Sequence, residues 1–369
     1  MGGHRPELRL QKHTVGGLNQ TDLHKYFHKH VIDKVYTCVD GAVASEWRRS
    51  QRREISEQTA RYFQIRCEKY IRPAFGDFSP GEVGYPQIVV FVDTLTSDGL
   101  HPATIRQILV ALKKVLQWAL MHGHLSGMPA FPMVRSVSTP RGGFTPREVL
   151  RLWHTARRLS DARNYENGTS HRETCGGIYS KNRPIAKEMR WLIALMVNGF
   201  MRPTDLKNVQ HKHVEIVRGR HVYLRLNLPE SKRHTETIIT LRPAVRAYEA
   251  LSENAIEAGR KTPDDYLFFP EVRDRKKAMM AMDHQFRRIL DAADLRFGKR
   301  NQARSIYSLR HTALTFRLIY GQGIDLLTLA KNARTSVEMV EKFYASELNA
   351  ELNVAMLQSK RTTKPPVMA

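Results

Sequence analysis

Tyr344, Lys232 and the arginines Arg202 and Arg310 are side chains whose types, taken together, suit phosphoryl transfer without a metal ion. Two guanidiniums can grip non-bridging phosphate oxygens bidentately and neutralise the charge that builds in the transition state. A phenol is a weak nucleophile, with a free pKa of about 10, and needs electrostatic help and a proton acceptor. The departing oxygen needs a proton, which a lysine supplies when neighbouring cations lower its pKa. Arg233, beside Lys232, holds its proton too tightly for that work.

These residues need particular elements to hold them. Pro203 can open a helix directly after Arg202, and Gly199 is placed to end the helix before it, which reads as about 184–197. Val222, Leu224, Leu226 and Leu228 alternate with polar residues as a half-buried strand. Thr237 to Leu241 reads as the next strand, which puts Lys232 and Arg233 on the turn between the two. Thr335 and Glu338 have capping-box spacing, so the spacing predicts a helix start at Thr335. Val337, Val340 and Tyr344 then share one face.

Upstream, Pro102 opens a helix whose apolar stripe is Ile105, Ile108, Leu109, Leu112, Leu116 and Ala119. Arg48, Arg49 and Arg52 recur at helical spacing, and Arg106 and Lys113 project away from that stripe. Thr145-Pro146-Arg147-Glu148 is a second capping box. These patterns divide the chain into 1–45, an N-terminal extension or small arm module; 46–132, a small all-helical domain; and 133–143, a basic linker. Residues 144–357 form a mixed domain, and 358–369 a disordered basic tail. The fold class is mainly α with a small antiparallel sheet.

Charge narrows the partner. The 369 residues carry 59 Lys and Arg against 36 acids, a net charge of +23, which points to a polyanion, nucleic acid before membrane. Residues 1–140 hold 18 basic and 12 acidic groups, whereas 141–369 hold 41 and 24. The later part is therefore the expected home of most phosphate contacts. Three scattered cysteines, Cys38, Cys67 and Cys175, give no disulfide framework. The close pairs His28/His30, His122/His124 and His211/His213, and His171 with Cys175, have no second pair at metal-site spacing. Neither a signal peptide, a membrane-length apolar run, an internal repeat nor a nucleotide-binding glycine loop is present, so a soluble intracellular protein is expected.

The ordered set of motifs resembles the tyrosine recombinases of the phage-integrase family, over about residues 45–348. Arg202-Pro203-Thr204-Asp205-Leu206 matches the family's first arginine motif, Lys232 its strand-turn lysine, Leu309-Arg310-His311-Thr312 its second arginine motif and Tyr344 its nucleophile. Two positions depart from the common pattern: Tyr307 stands where His is usual, and Thr335 where His or Trp is usual.

The resemblance implies a helical core-binding domain and a mixed catalytic domain. It also implies attack of Tyr344 on a DNA phosphodiester, a 3′-phosphotyrosyl link and resealing by a partner strand, with Lys232 as general acid. No metal, cofactor or ATP is needed, because the covalent link conserves bond energy. Double-stranded DNA is the implied substrate and a homo-tetramer on paired sites the implied assembly, served by accessory DNA-bending or directionality factors. DNA contacts are expected from Arg48, Arg49, Arg52, Arg106, Lys113, Arg233, Arg304 and His311. A telomere resolvase, a type IB topoisomerase-like enzyme and a catalytically decayed DNA-binding protein remain as alternatives.

Overall fold

The computed structural model describes residues 34–135, 142–161, 184–229, 236–259, 261–299, 301–321 and 324–344. The chain divides into two compact units, Met1–Ser138 and Thr139–Ala369.

The first unit is helical: α1 (Val35–Gln51), α2 (Glu57–Arg66), a π-helical turn (Cys67–Ile71) running into α3 (Arg72–Phe75), α4 (Tyr85–Ser97) and α5 (Pro102–Met121). Ser56 caps α2 by accepting from the Thr59 amide at 3.2 Å. Pro102 opens α5, and all six residues of its anticipated stripe are buried, joined by Ala111 and Val115. Val35, Cys38, Val39 and Ala42 of α1 lie in the same core. Residues 35–45 therefore belong to the helical unit, which moves the start of that unit upstream of residue 46; the apolar stripe of α1 has nowhere else to be buried. Gly41 is required by packing, since a Cβ there would lie 2.2 Å from the Trp118 ring.

The second unit contains α6 (Pro146–Ser160), α7 (Met189–Gly199), α8 (Pro203–Leu206), β1 (Val214–Val217), β2 (Tyr223–Leu226) and β3 (Ile238–Ile239). It continues with α9 (Pro243–Glu257), α10 (Arg275–Ala292), α11 (Ile306–Tyr320), α12 (Leu326–Asn332) and α13 (Val337–Tyr344). The sheet is antiparallel in the order β1-β2-β3, with Val214 opposite Leu226 and Arg225 opposite Ile239. Leu224 and Leu226 point into the core, as the alternation requires. Helix α7 is the centre of this unit: Met189, Leu192, Ile193, Leu195 and Met196 are fully buried, with α6, α9 and α11 packed around it.

The fold is the expected one, mainly α with a small antiparallel sheet. Three local expectations change. Helix α7 begins at Met189 rather than near 184, and the Ala186 N–H ahead of it donates to Gln285 Oε1 at 2.8 Å. Helix α7 runs through Gly199, and the left-handed residue that ends it is Phe200, at φ 54°. Burial of the Phe200 ring in the core holds that conformation. The third strand is shorter than Thr237 to Leu241 because pairing with β2 covers Ile238 and Ile239 only. Among the described residues, no helix is long and apolar enough to cross a membrane.

Candidate active site

Arg202 is the N-cap residue of the short helix α8, and its amide donates to Asp205 Oδ2 at 2.8 Å. The acid of the Arg202-Pro203-Thr204-Asp205-Leu206 motif is thus a backbone clamp, 8% exposed, and Pro203 presets the first turn. Together they fix the direction in which the Arg202 side chain leaves the chain. Its guanidinium donates to the carbonyl of Arg334.

Arg310 comes from the opposite side, on the second turn of α11, and is 2% exposed. One of its Nη atoms donates to the Phe200 carbonyl and the other to the Ala333 carbonyl, the latter at 2.6 Å. The left-handed turns at Phe200 (φ 54°) and Arg334 (φ 53°) aim these carbonyls inward. Two arginines far apart in sequence are therefore held side by side by main-chain oxygens. Burial first, and then the Arg310 and Arg334 guanidiniums, push the Arg202 pKa below the usual arginine value. Such a pair is electrostatically primed for an anion, because a phosphate relieves the repulsion between cations in a low-dielectric site.

Arg334 was not among the residues singled out from the sequence. It is 1% exposed, and its Nη2 donates to the Pro229 carbonyl at 3.0 Å. No local sequence signal marks an arginine in a Lys-Asn-Ala-Arg-Thr-Ser run as buried. Asn332 was missed too. Its side-chain amide exchanges two bonds with the Ile239 backbone, at 2.7 and 3.0 Å, and so ties the end of α12 to β3 as an extra strand residue would.

The start of α13 is displaced by one residue from the expected capping box. Ser336 is the cap: its Oγ accepts from the Met339 amide at 3.3 Å and its carbonyl from Val340 N at 3.1 Å. The Thr335 amide is instead bound to the Ala330 carbonyl at 2.9 Å, which closes the turn after α12. The left-handed conformation of Arg334 delays helix entry to Val337, so the Thr335–Glu338 spacing is not used as a cap. Val340 is fully buried and anchors α13, of which Tyr344 is the last residue. Lys232 and Arg233 lie outside the described residues, as do the stretch 162–183 and the tail. Tyr307, in the first turn of α11, is half-buried and close enough to Arg202 to act on its charge.

Two residues expected to contact DNA are buried within the unit. Arg304 is 6% exposed and is spent inside the unit: its fork meets Glu148 twice at 3.1 Å, and Nη2 also donates to the Gly143 carbonyl at 2.8 Å. Its planar guanidinium also lies over the Phe144 ring, 4.6 Å from the centroid. Arg304 is itself buried, and its guanidinium is engaged within the unit by the partly exposed Glu148, the Gly143 carbonyl and the Phe144 ring. His311 is likewise buried, 6% exposed, and burial pushes its pKa down to about 4, so it is neutral where DNA-binding proteins work. Its neighbour Thr312 accepts from Phe144 N at 2.8 Å and donates to the Ser308 carbonyl, fastening the end of the linker to α11.

In the helical unit, Arg48, Arg106 and Lys113 are exposed. Arg49 is engaged by Glu46 at 2.7 Å and Glu54 at 2.9 Å, and Arg52 by Glu54 at 2.8 Å. These are exchangeable surface pairs, apart from the buried Glu46, which also holds Lys114 at 2.7 Å. Arg106 and Lys113 border a groove with Leu109, Val110, Phe131 and Met133. Among the described residues, no group of His, Cys, Asp and Glu could hold a metal ion.

Known proteins share this fold. A family model described as the phage integrase central domain matches residues 41–135, and one for the phage integrase family matches 178–350. Among solved structures, a lambda integrase dimer bound to a COC′ core site gives a TM-score of 0.61 at 15% identity, covering 95% of this chain and 85% of that one. A lambda integrase tetramer bound to a Holliday junction gives 0.58 at 15% identity, covering 84% and 77%. The Tn1549 transposon integrase in complex with a circular-intermediate DNA gives 0.58 at 13% identity, covering 88% and 98%. A search of curated protein sequences finds no match. At these identities the structural likeness concerns the fold.

Proposed function

The chain belongs to the phage-integrase family and is a tyrosine-type site-specific DNA recombinase; we propose that it integrates or excises a mobile element through a 3′-phosphotyrosyl intermediate. The observation that carries this reading is the Arg202–Arg310 pair, held by carbonyls of Phe200, Ala333 and Arg334 directly before the helix that ends in Tyr344. In the proposed step the Tyr344 hydroxyl gives up its proton to solvent as its oxygen bonds to phosphorus, while the bond from phosphorus to the 5′ oxygen breaks. Arg202 and Arg310 take the charge on the non-bridging oxygens, and Lys232 protonates the departing 5′ oxygen. Attack by the 5′ hydroxyl of a partner duplex reverses the sequence and completes exchange. The net charge of +23 supports duplex DNA as the substrate, and the lambda integrase tetramer on a Holliday junction supports tetrameric assembly on paired sites. Accessory bending or directionality factors are part of the same proposal.

The test is covalent capture. The full chain is incubated with a randomised library of nicked duplexes, denatured, and the protein-linked DNA sequenced. We expect the wild type to recover a discrete sequence and Tyr344→Phe to bind that duplex without forming the adduct. An adduct of normal yield with Tyr344→Phe would reject Tyr344, and no adduct with the wild type would favour a DNA-binding protein that has lost catalysis.

A further inference from the structure

Arg334 sits between the two elements that matter most for cleavage, and nothing in the motif set gives it a role. It is buried, left-handed and cationic, three properties that are each costly and that persist together only when the surroundings hold them. Its three attachments run in different directions. The carbonyl accepts from Arg202, the amide donates to the Lys331 carbonyl at 2.9 Å, and the guanidinium donates to the Pro229 carbonyl at 3.0 Å. The preceding carbonyl, of Ala333, receives Arg310. One turn of chain thus presents two consecutive oxygens to the two arginines, and one side chain fastens that turn to the segment leaving β2.

Resting on the recombinase reading above, we infer that Arg334 is a positioning residue for strand cleavage: its buried guanidinium, hooked on Pro229, holds the Ala333–Arg334 turn in the left-handed form that orients Arg202 and Arg310. It does not touch the substrate's reacting atoms; it acts through the two arginines. Ser336, two residues on, caps α13, so the same turn also sets where the nucleophile helix begins. A glycine would adopt the backbone angle without strain but has no hook. The arginine supplies the hook at the cost of the strain.

The experiment compares Arg334→Met, Arg334→Gly and Arg334→Lys in the full chain, using the duplex recovered by covalent capture. Methionine keeps length and burial but loses donor and charge; glycine relieves the backbone; lysine keeps a donor and the charge. We expect Arg334→Met and Arg334→Gly to bind that duplex within about threefold of wild type while single-turnover cleavage falls at least about thirtyfold, a split that loss of stability alone does not produce. Arg334→Lys should recover most of the lost rate. If methionine does not fold, the glycine variant, whose backbone is unstrained, carries the comparison.

Three outcomes overturn the inference: a folded Met or Gly variant cleaving within threefold of wild type, equal loss of binding and cleavage, or a lysine variant no faster than methionine. A second readout needs no activity. Amide hydrogen exchange should quicken in 203–206 and 334–340 of the Met or Gly variant and stay unchanged in α9 and α10. Unchanged exchange at 334–340 also overturns it. If the wild type forms no adduct, the recombinase mechanism fails, and the exchange comparison still decides whether Arg334 orders the turn.

Discussion

At the scale of single residues, the division of labour between Arg310 and Lys232 is a question of which oxygen each one serves. Arg310 is oriented by two carbonyls, and the proposed mechanism gives it the non-bridging oxygens, whereas the proposed general acid serves only the leaving oxygen. A substrate with sulfur in place of the 5′-bridging oxygen separates them, because a thiolate departs without a proton. Lys232→Ala should be severely slow on ordinary DNA and largely restored on the sulfur substrate, in a single-turnover cleavage assay. Arg310→Ala should lose about 10²–10³-fold on both. Equal slowness of Lys232→Ala on the two substrates would remove Lys232 from the acid's role.

His311 gives a pH signature at the same scale. Its pKa is about 4 in the folded chain against 6.5 ordinarily, through burial. Between those values the unfolded chain binds the proton and the folded chain does not, so stability falls as pH drops from about 6.5 to about 4. The loss from this residue is about 3 kcal/mol at most, on the order of the shift itself. Denaturant midpoints across that window should show His311→Gln with a shallower pH slope than wild type. An unchanged slope would mean that the acid sensitivity lies elsewhere, for instance in His211 and His213, whose pKa values burial also lowers.

At the scale of elements, the short helices α8 and α13 do the positioning and the long ones supply the platform. Helix α8 has only one turn, so its stability comes from Asp205 and Pro203 at its start and from Leu206 in the core. Helix α13 depends on Ser336 at its start and Val340 in its middle. Ser336→Ala should therefore cost about 1 kcal/mol in a thermal or denaturant melt. Thr335→Ala should cost clearly less, since Thr335 contributes its amide rather than a capping side chain to the turn. The reverse order would restore the cap to Thr335.

At the scale of the whole molecule, the charge of +23 makes binding to any duplex an ion-exchange process. If roughly 6–10 phosphates are neutralised, affinity should fall by about 10³–10⁵ between 50 and 200 mM salt. A titration of fluorescent duplex at several salt concentrations measures the slope directly. A nearly salt-independent affinity would contradict a DNA partner held by arginine and lysine. The burial of Arg304, and of Arg275, which donates to four main-chain carbonyls, shows that part of this charge is structural and contributes nothing to that slope.

The sequence by itself determined the helical stripe of α5, the Thr145–Glu148 capping box, the alternation of β2 and the arginine motifs. Each of these is a local regularity: a period, a cap or a fixed spacing that neighbouring residues enforce on one another. Only the tertiary structure decided which cations are free. Arg304 and Arg334 look in sequence like Arg48 and Arg106, yet the first two are buried against carbonyls, an aromatic ring or Glu148 from distant segments. The start of α13 was misread by one residue for the same reason. Thr335 and Ser336 are equivalent caps locally, and the choice falls to Ser336 because the Arg334 turn is held left-handed, with its side chain bonded to Pro229 and its carbonyl to Arg202. A cap can be read from four consecutive residues; a backbone angle imposed by partners more than a hundred positions away cannot.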